Sequence, residues 1–117
     1  MKREMMTIDE RLNKIAGILD QNKAEDIETF NLTESEYIAD GVVVATAMAD
    51  RHLLALLDFL KKDLKPDEQF LHIEESDDWI VIDMGDIIVH LMSESAREKY
   101  HLESFLKEFE AKKASKQ

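Results

Sequence analysis

No cysteine occurs in the chain, which excludes disulfides, thiol nucleophiles and cysteine-bound zinc and fits a reducing compartment. Proline occurs once and glycine three times in 117 residues, so few positions interrupt helices or strands, and disorder is expected only at the ends. The scarcity of glycine also removes one class of chemistry. The turn after the longest β-branched run reads Thr46-Ala47-Met48-Ala49-Asp50, without the glycines that let a backbone cradle phosphates. No Gly-x-Ser-x-Gly elbow is present, so serine hydrolase chemistry has no anchor. His52, His72, His90 and His101 form neither an i, i+4 pair nor a His-Glu-x-x-His motif. No apolar run reaches the length of a membrane span, and the opening MKREMMTIDERL carries acids where a signal or transit peptide has none. These absences together lead to an expected place in the cytoplasm.

Positive charge is the scarcer sign. Lys and Arg number 15 against 26 Asp and Glu, a net charge of −11. Such a surface repels phosphate backbones, because nucleic-acid affinity comes largely from Lys and Arg displacing counterions. A basic protein is the natural complement, and opposite fields would speed its capture. The same acidity would equally keep a protein with no such partner in solution.

At this length one domain is expected, large enough to bury a core. Met5, Ile8, Leu12, Ile15 and Leu19 recur at three- and four-residue steps and predict a helix that stops near Gln21, Asn22 and Lys23. Residues 26–32 read as a strand, and Thr33-Glu34-Ser35-Glu36 as a loop. Residues 41–47 are continuously apolar and rich in β-branching, as in a central strand covered on both faces. Asp50 opens a second helix through Leu53, Leu57, Leu60 and Leu64, with Lys61 and Lys62 at its negative end and Pro66 as its stop. Residues 70–73 give a short third strand and 74–78 an acidic turn. Ser93 caps a final helix with Glu94 in its first turn, and Leu102, Phe105, Leu106 and Phe109 continue the stripe. The domain is expected to occupy residues 1–110, with 111–117 a polar, basic, frayed tail. This order predicts an α/β fold: a single domain with a mixed sheet of about five strands flanked by helices.

Residues 79–92, WIVIDMGDIIVHLM, hold the most information. If Met84-Gly85 is the turn, Asp83 faces Asp86, Val81 faces Ile88 and Trp79 faces His90, while Ile82 meets Ile87 and Ile80 meets Val89. One face is then wholly aliphatic and the other carries Trp79, Asp83, Asp86 and His90. Two facing carboxylates cost a hairpin roughly a few tenths of a kcal/mol. Either a solvated turn weakens that repulsion, or the pair waits for a cationic partner. Trp79 either covers the sheet beneath a helix or anchors a partner. A metal held by Asp83, Asp86 and His90 is conceivable, although their spacing fixes no coordination geometry. Surface pairing of Arg97 with Glu94 or the turn at Glu98, and a core-edge position for Tyr100, account for the final helix without a functional role.

Several segments together resemble the ribosomal silencing factor family, also called RsfS or Iojap-related. They are Asp40 ahead of the apolar strand, Asp50-Arg51-His52 after it, the stretch from Trp79 to His90, and Ala96-Arg97-Glu98-Lys99-Tyr100-His101-Leu102-Glu103. The similarity runs over roughly residues 23–106. It implies a fold similar to nucleotidyltransferases, no cofactor and no catalysis. It also implies binding to ribosomal protein L-fourteen on the large subunit, a steric block to small-subunit joining, repression of translation, and a homodimer when free. The positions that match the family pattern include Arg51 and Gly85. Those expected to meet the partner are Asp40, Trp79, Asp83, Asp86, His90, Arg97, Tyr100, Leu102 and Glu103. The sequence departs from the pattern at Thr46-Ala47-Met48-Ala49, at the shortened turn before Trp79, and at Phe105-Leu106. Two alternatives remain at this stage: a large-subunit assembly factor using the same contact, and a degenerate nucleotidyltransferase holding magnesium through Asp83 and Asp86.

Overall fold

In the computed structural model, which describes residues 6–65 and 67–115 (113–115 by backbone alone), the first helix is set by its own end. The Thr7 hydroxyl accepts the Glu10 N–H at 3.1 Å, and the Glu10 carboxylate accepts the Thr7 N–H at 2.9 Å, a reciprocal cap. Helix α1 (Ile8–Gln21) follows, with Leu12, Ile15 and Leu19 buried as their spacing predicts and Ile18 buried beside them. The other elements are β1 (Glu25–Asn31), β2 (Gly41–Ala47), α2 (Asp50–Leu64), β3 (His72–Glu75), β4 (Trp79–Asp83), β5 (Ile87–Ser93), α3 (Glu94–Tyr100) and α4 (Leu102–Ser115). Met5 and Pro66, which the sequence reading used as helix markers, lie outside the described residues.

The sheet order is β1-β2-β5-β4-β3, with β2 and β5 parallel and the remaining pairs antiparallel. This is the five-stranded mixed sheet expected of an α/β domain. Every residue of β2 is buried, as a strand covered on both faces must be. Helices α1 and α2 close one face over Val43, Ala45, Ile80, Ile82, Val89 and Leu91. On the other face α4 packs on β1, and α3 on β5 and β2, over Phe30, Val42, Val44, Met92 and Leu106. That second cover is incomplete: Trp79, Val81, Asp83 and Ile88 on the β4–β5 side stay only half-buried.

Four local readings are corrected. Strand β3 is His72–Glu75, so Glu74 and Glu75 pair with β4 and the turn is residues 76–78, closed by Ser76 N–H to Trp79 O at 2.9 Å. The final helical region is two helices, because His101 adopts φ 50° and its N–H returns to Arg97 O, ending α3. Helix α4 runs on to Ser115, so the segment from Ala111 begins as helix and not as a frayed tail.

The hairpin register also differs, by two residues. Trp79 lies opposite Met92, Val81 opposite His90 and Asp83 opposite Ile88. The two central turn residues are Gly85 and Asp86, bracketed by Met84 N–H to Ile87 O at 2.9 Å. Gly85 takes φ +93°. A glycine belongs at the first central position of a type II′ turn, where the positive φ falls, and not at the second. Met84 thereby enters the core beside Ile82 and Ile87. A shift of two leaves the paired strand side chains on their expected faces, Ile80, Ile82, Ile87 and Val89 on one and Trp79, Asp83 and His90 on the other, while Asp86 leaves the mixed face for the turn. Asp83 and Asp86 do not face each other.

Candidate functional site

The mixed hairpin face is centred on three rings. Trp79 Nε1–H donates to His90 Nδ1 at 3.0 Å, and their ring centroids lie 5.8 Å apart. Tyr100, the last residue of α3, sets its ring 4.9 Å from that of Trp79 and is 50% exposed. His90 is 8% exposed. Because an indole nitrogen can only donate, Nδ1 must be the acceptor, and the neutral ring carries its proton on Nε2. Nε2 is buried with no partner. Burial pushes the His90 pKa down to about 4, so the ring is neutral at ordinary pH. His90 thus acts from beneath, through Trp79. With its only polar atom turned inward, Trp79 offers hydrocarbon and a π face outward.

The turn end of the hairpin is held by Arg11 of α1. Its guanidinium donates to both Asp86 oxygens, at 2.7 and 2.9 Å, and to both Glu68 oxygens, at 2.9 and 2.7 Å. Those hydrogen bonds hold the Asp86 carboxyl below its usual range and raise the Arg11 pKa further. The cation Asp86 was expected to await is therefore internal. Asp83 accepts the Gly85 N–H at 2.8 Å and shapes the turn. Asp40 is exposed, and its N–H donates to Asp86 O at 2.9 Å, which ties the β1–β2 loop to the same turn. Asp83, Asp86 and His90 are engaged with three different groups, and among the described residues no group of three or more His, Asp and Glu is placed to hold a metal ion.

Arg97 is not the surface residue expected. It is 8% exposed, and its NH1 donates to Asp26 O at 2.8 Å and to Thr46 Oγ1 at 2.9 Å. Its NH2 reaches Glu28 Oε2 at 3.2 Å and its Nε reaches Glu103 Oε1 at 3.3 Å. The side chain straps α3 and α4 to β1 and β2. Leu102 is half-buried against Phe30, Met92 and Leu106. The nine expected contact residues therefore separate. Trp79, Tyr100, Asp83 and Asp40 reach the surface, as does the half-exposed Asp86 carboxylate held by Arg11, while His90 and Arg97 are buried supports and Leu102 and Glu103 are half-buried.

Other surface residues were missed. Val81 and Ile88 widen the open sheet face. Phe105, expected to continue the apolar stripe, is 48% exposed and packs its ring 5.2 Å from Phe109 and 6.3 Å from Tyr37. Ile38 is the most exposed large apolar residue among the described residues. An apolar residue in an otherwise acidic loop was the available signal for Ile38. Arg11 gave none, since its partners lie far along the chain. No described helix is long and apolar enough to cross a membrane.

Residues 5–117 match the family described as "Ribosomal silencing factor during starvation". The ribosomal silencing factor RsfS of Haemophilus influenzae is 36% identical over 88 residues, covering 73% of this chain and 86% of that protein. A mouse protein named mitochondrial assembly of ribosomal large subunit protein 1 is 30% identical over 98 residues, covering 79% of this chain and 43% of its own length. A crystal structure of a Chromobacterium violaceum protein superposes with a TM-score of 0.78 at 27% identity, covering 87% of this chain and 88% of that one. With a family match from residue 5 to residue 117, and a relative of that name matched over most of its length, this chain belongs to the ribosomal silencing factor family.

Proposed function

We propose that the chain binds ribosomal protein L-fourteen of the large ribosomal subunit through its Trp79–Tyr100 face and keeps the small subunit from joining, thereby repressing translation in the cytoplasm. The family supplies the ribosomal setting. The observation that carries the docking face is the aromatic pair at 4.9 Å, at the edge of α3, where Val81, Asp83 and Ile88 farther along the same sheet face stay half-buried. Fixed aromatic anchors such as Trp and Tyr are the usual make-up of an interface hot spot. A net charge of −11 favours a basic protein over nucleic acid. The block is steric, so the function needs affinity and position and no catalytic step. Asp83 and Asp86, which a magnesium-dependent reading would use, are engaged by the Gly85 N–H and by Arg11. When free, the chain pairs with a second copy.

The name of the mouse relative favours a second reading, a role in large-subunit assembly through the same contact. Sedimentation of the purified protein with separated subunits tests both. Co-migration with the large subunit and fewer joined ribosomes after small subunits are added supports silencing. Co-migration without loss of joining turns the reading to assembly, and protein left at the top of the gradient at micromolar concentration overturns both.

A further inference from the structure

The loop between β1 and β2 is built to hold one apolar side chain away from the protein. Ile38 is 85% exposed in a segment fixed at several points. Leu32 N–H donates to Asp40 O at 2.7 Å, Ser35 N–H to Leu32 O at 2.9 Å, and Tyr37 N–H to Ser35 Oγ at 3.1 Å. Asp40 N–H then closes the loop onto Asp86 O at 2.9 Å. Glu34 sits at φ 70°, a left-handed conformation that a non-glycine residue keeps only when its surroundings enforce it. Tyr37 packs its ring 5.0 Å from Phe109 and 6.3 Å from half-exposed Phe105. The loop is therefore anchored both to α4 and to the hairpin turn. Exposed acids, Glu34, Glu36 and Asp40, surround Ile38 in sequence.

We propose that this loop is a second contact arm of the docking face, in which Ile38 enters an apolar socket rimmed by basic residues on the same protein partner. The inference rests on the reading of the Trp79–Tyr100 face as the docking surface. Charge complementarity chooses the occupant: an apolar residue among carboxylates, on a chain of net charge −11, fits a basic protein better than another copy of itself. A loop fixed before binding loses little conformational entropy on docking, so one side chain can contribute a large share of affinity.

The test measures binding of the full chain to purified large ribosomal subunits for wild type, Ile38→Ser, Ile38→Met and Trp79→Ala, with a thermal melt of each. Ile38→Ser is expected to weaken binding at least about fivefold with an unchanged melt, and Ile38→Met to stay within about twofold of wild type. If Ile38→Ser binds like wild type while Trp79→Ala is weakened, the contact arm is wrong and the docking face stands. If Ile38→Ser alters self-association and leaves subunit binding intact, the finger belongs to an interface between copies, which also overturns the proposal. If wild type fails to bind the subunit, the docking reading and this inference fall together.

Discussion

Trp79 and His90 meet diagonally. Val81 stands opposite His90 across the β4–β5 ladder, yet it is the indole N–H of Trp79 that reaches Nδ1 at 3.0 Å. This single hydrogen bond sets the tilt of the ring on which Tyr100 rests. Trp79 is the chain's one tryptophan, so intrinsic fluorescence reports on it alone. In His90→Phe the indole loses its acceptor and its N–H turns to water, and the emission maximum is expected to move to longer wavelength. Unchanged emission would mean the ring is held by packing alone.

The same histidine makes stability depend on pH. Its folded pKa, about 4, lies below the ordinary 6.5, so the unfolded chain binds more protons between those values. The contribution is complete above pH 6.5 and is lost as the pH falls towards 4, to a total of roughly 3 kcal/mol. Denaturant unfolding of wild type and His90→Phe across that window checks it. The difference between the two should grow with pH and level off above 6.5.

Arg11→Met removes the cation shared by Glu68 and Asp86, whose side chains are 11% and 44% exposed. Two carboxylates then lose their common partner, and a loss of about 2 kcal/mol is expected, below that of a fully buried pair. Added salt should restore part of it by screening the remaining repulsion. A variant as stable as wild type in urea at low salt would show that the cluster contributes nothing net.

Arg97→Lys keeps the charge and loses the planar fork. A lysine ammonium cannot serve Asp26 O, Thr46 Oγ1, Glu28 and Glu103 at once, so a destabilisation of about 2 kcal/mol is expected. Because Arg97 fixes α3, and α3 ends at Tyr100, subunit binding should weaken as well. Lost stability with intact affinity would separate the strap from the docking face.

Much of the framework was legible because it is local. Leu12, Ile15 and Leu19 fall on one helix stripe, residues 41–47 could only be a covered strand, and Ser93 does cap α3, through the Ala96 N–H at 3.1 Å. Alternation placed Trp79 and His90 on one face in both the expected register and the observed one, because the two differ by an even number of residues. The register itself was misread, because the place of Gly85 within a two-residue turn depends on which central position carries the positive φ. Arg11 with Asp86 and Arg97 with Glu28 join residues far apart in sequence, and no spacing rule announces such pairs. Partners of that kind make Arg97 a buried strap and tie the half-exposed Asp86 carboxylate to α1.

The central parallel pair has a consequence for the order in which the molecule comes together. Gly41 lies beside Ile87 and Ala47 beside Ser93, so β2 must wait for α2, β3 and β4 before it gains its neighbour. Contacts of such sequence separation form late, after the hairpins and helices that need only nearby residues. Tyr100 and Arg97 come later still in the chain, and Arg97 reaches back to β1. A growing polypeptide is therefore expected to lack the whole surface until its last third is made, so a half-made copy emerging from a ribosome carries no finished grip with which to seize it.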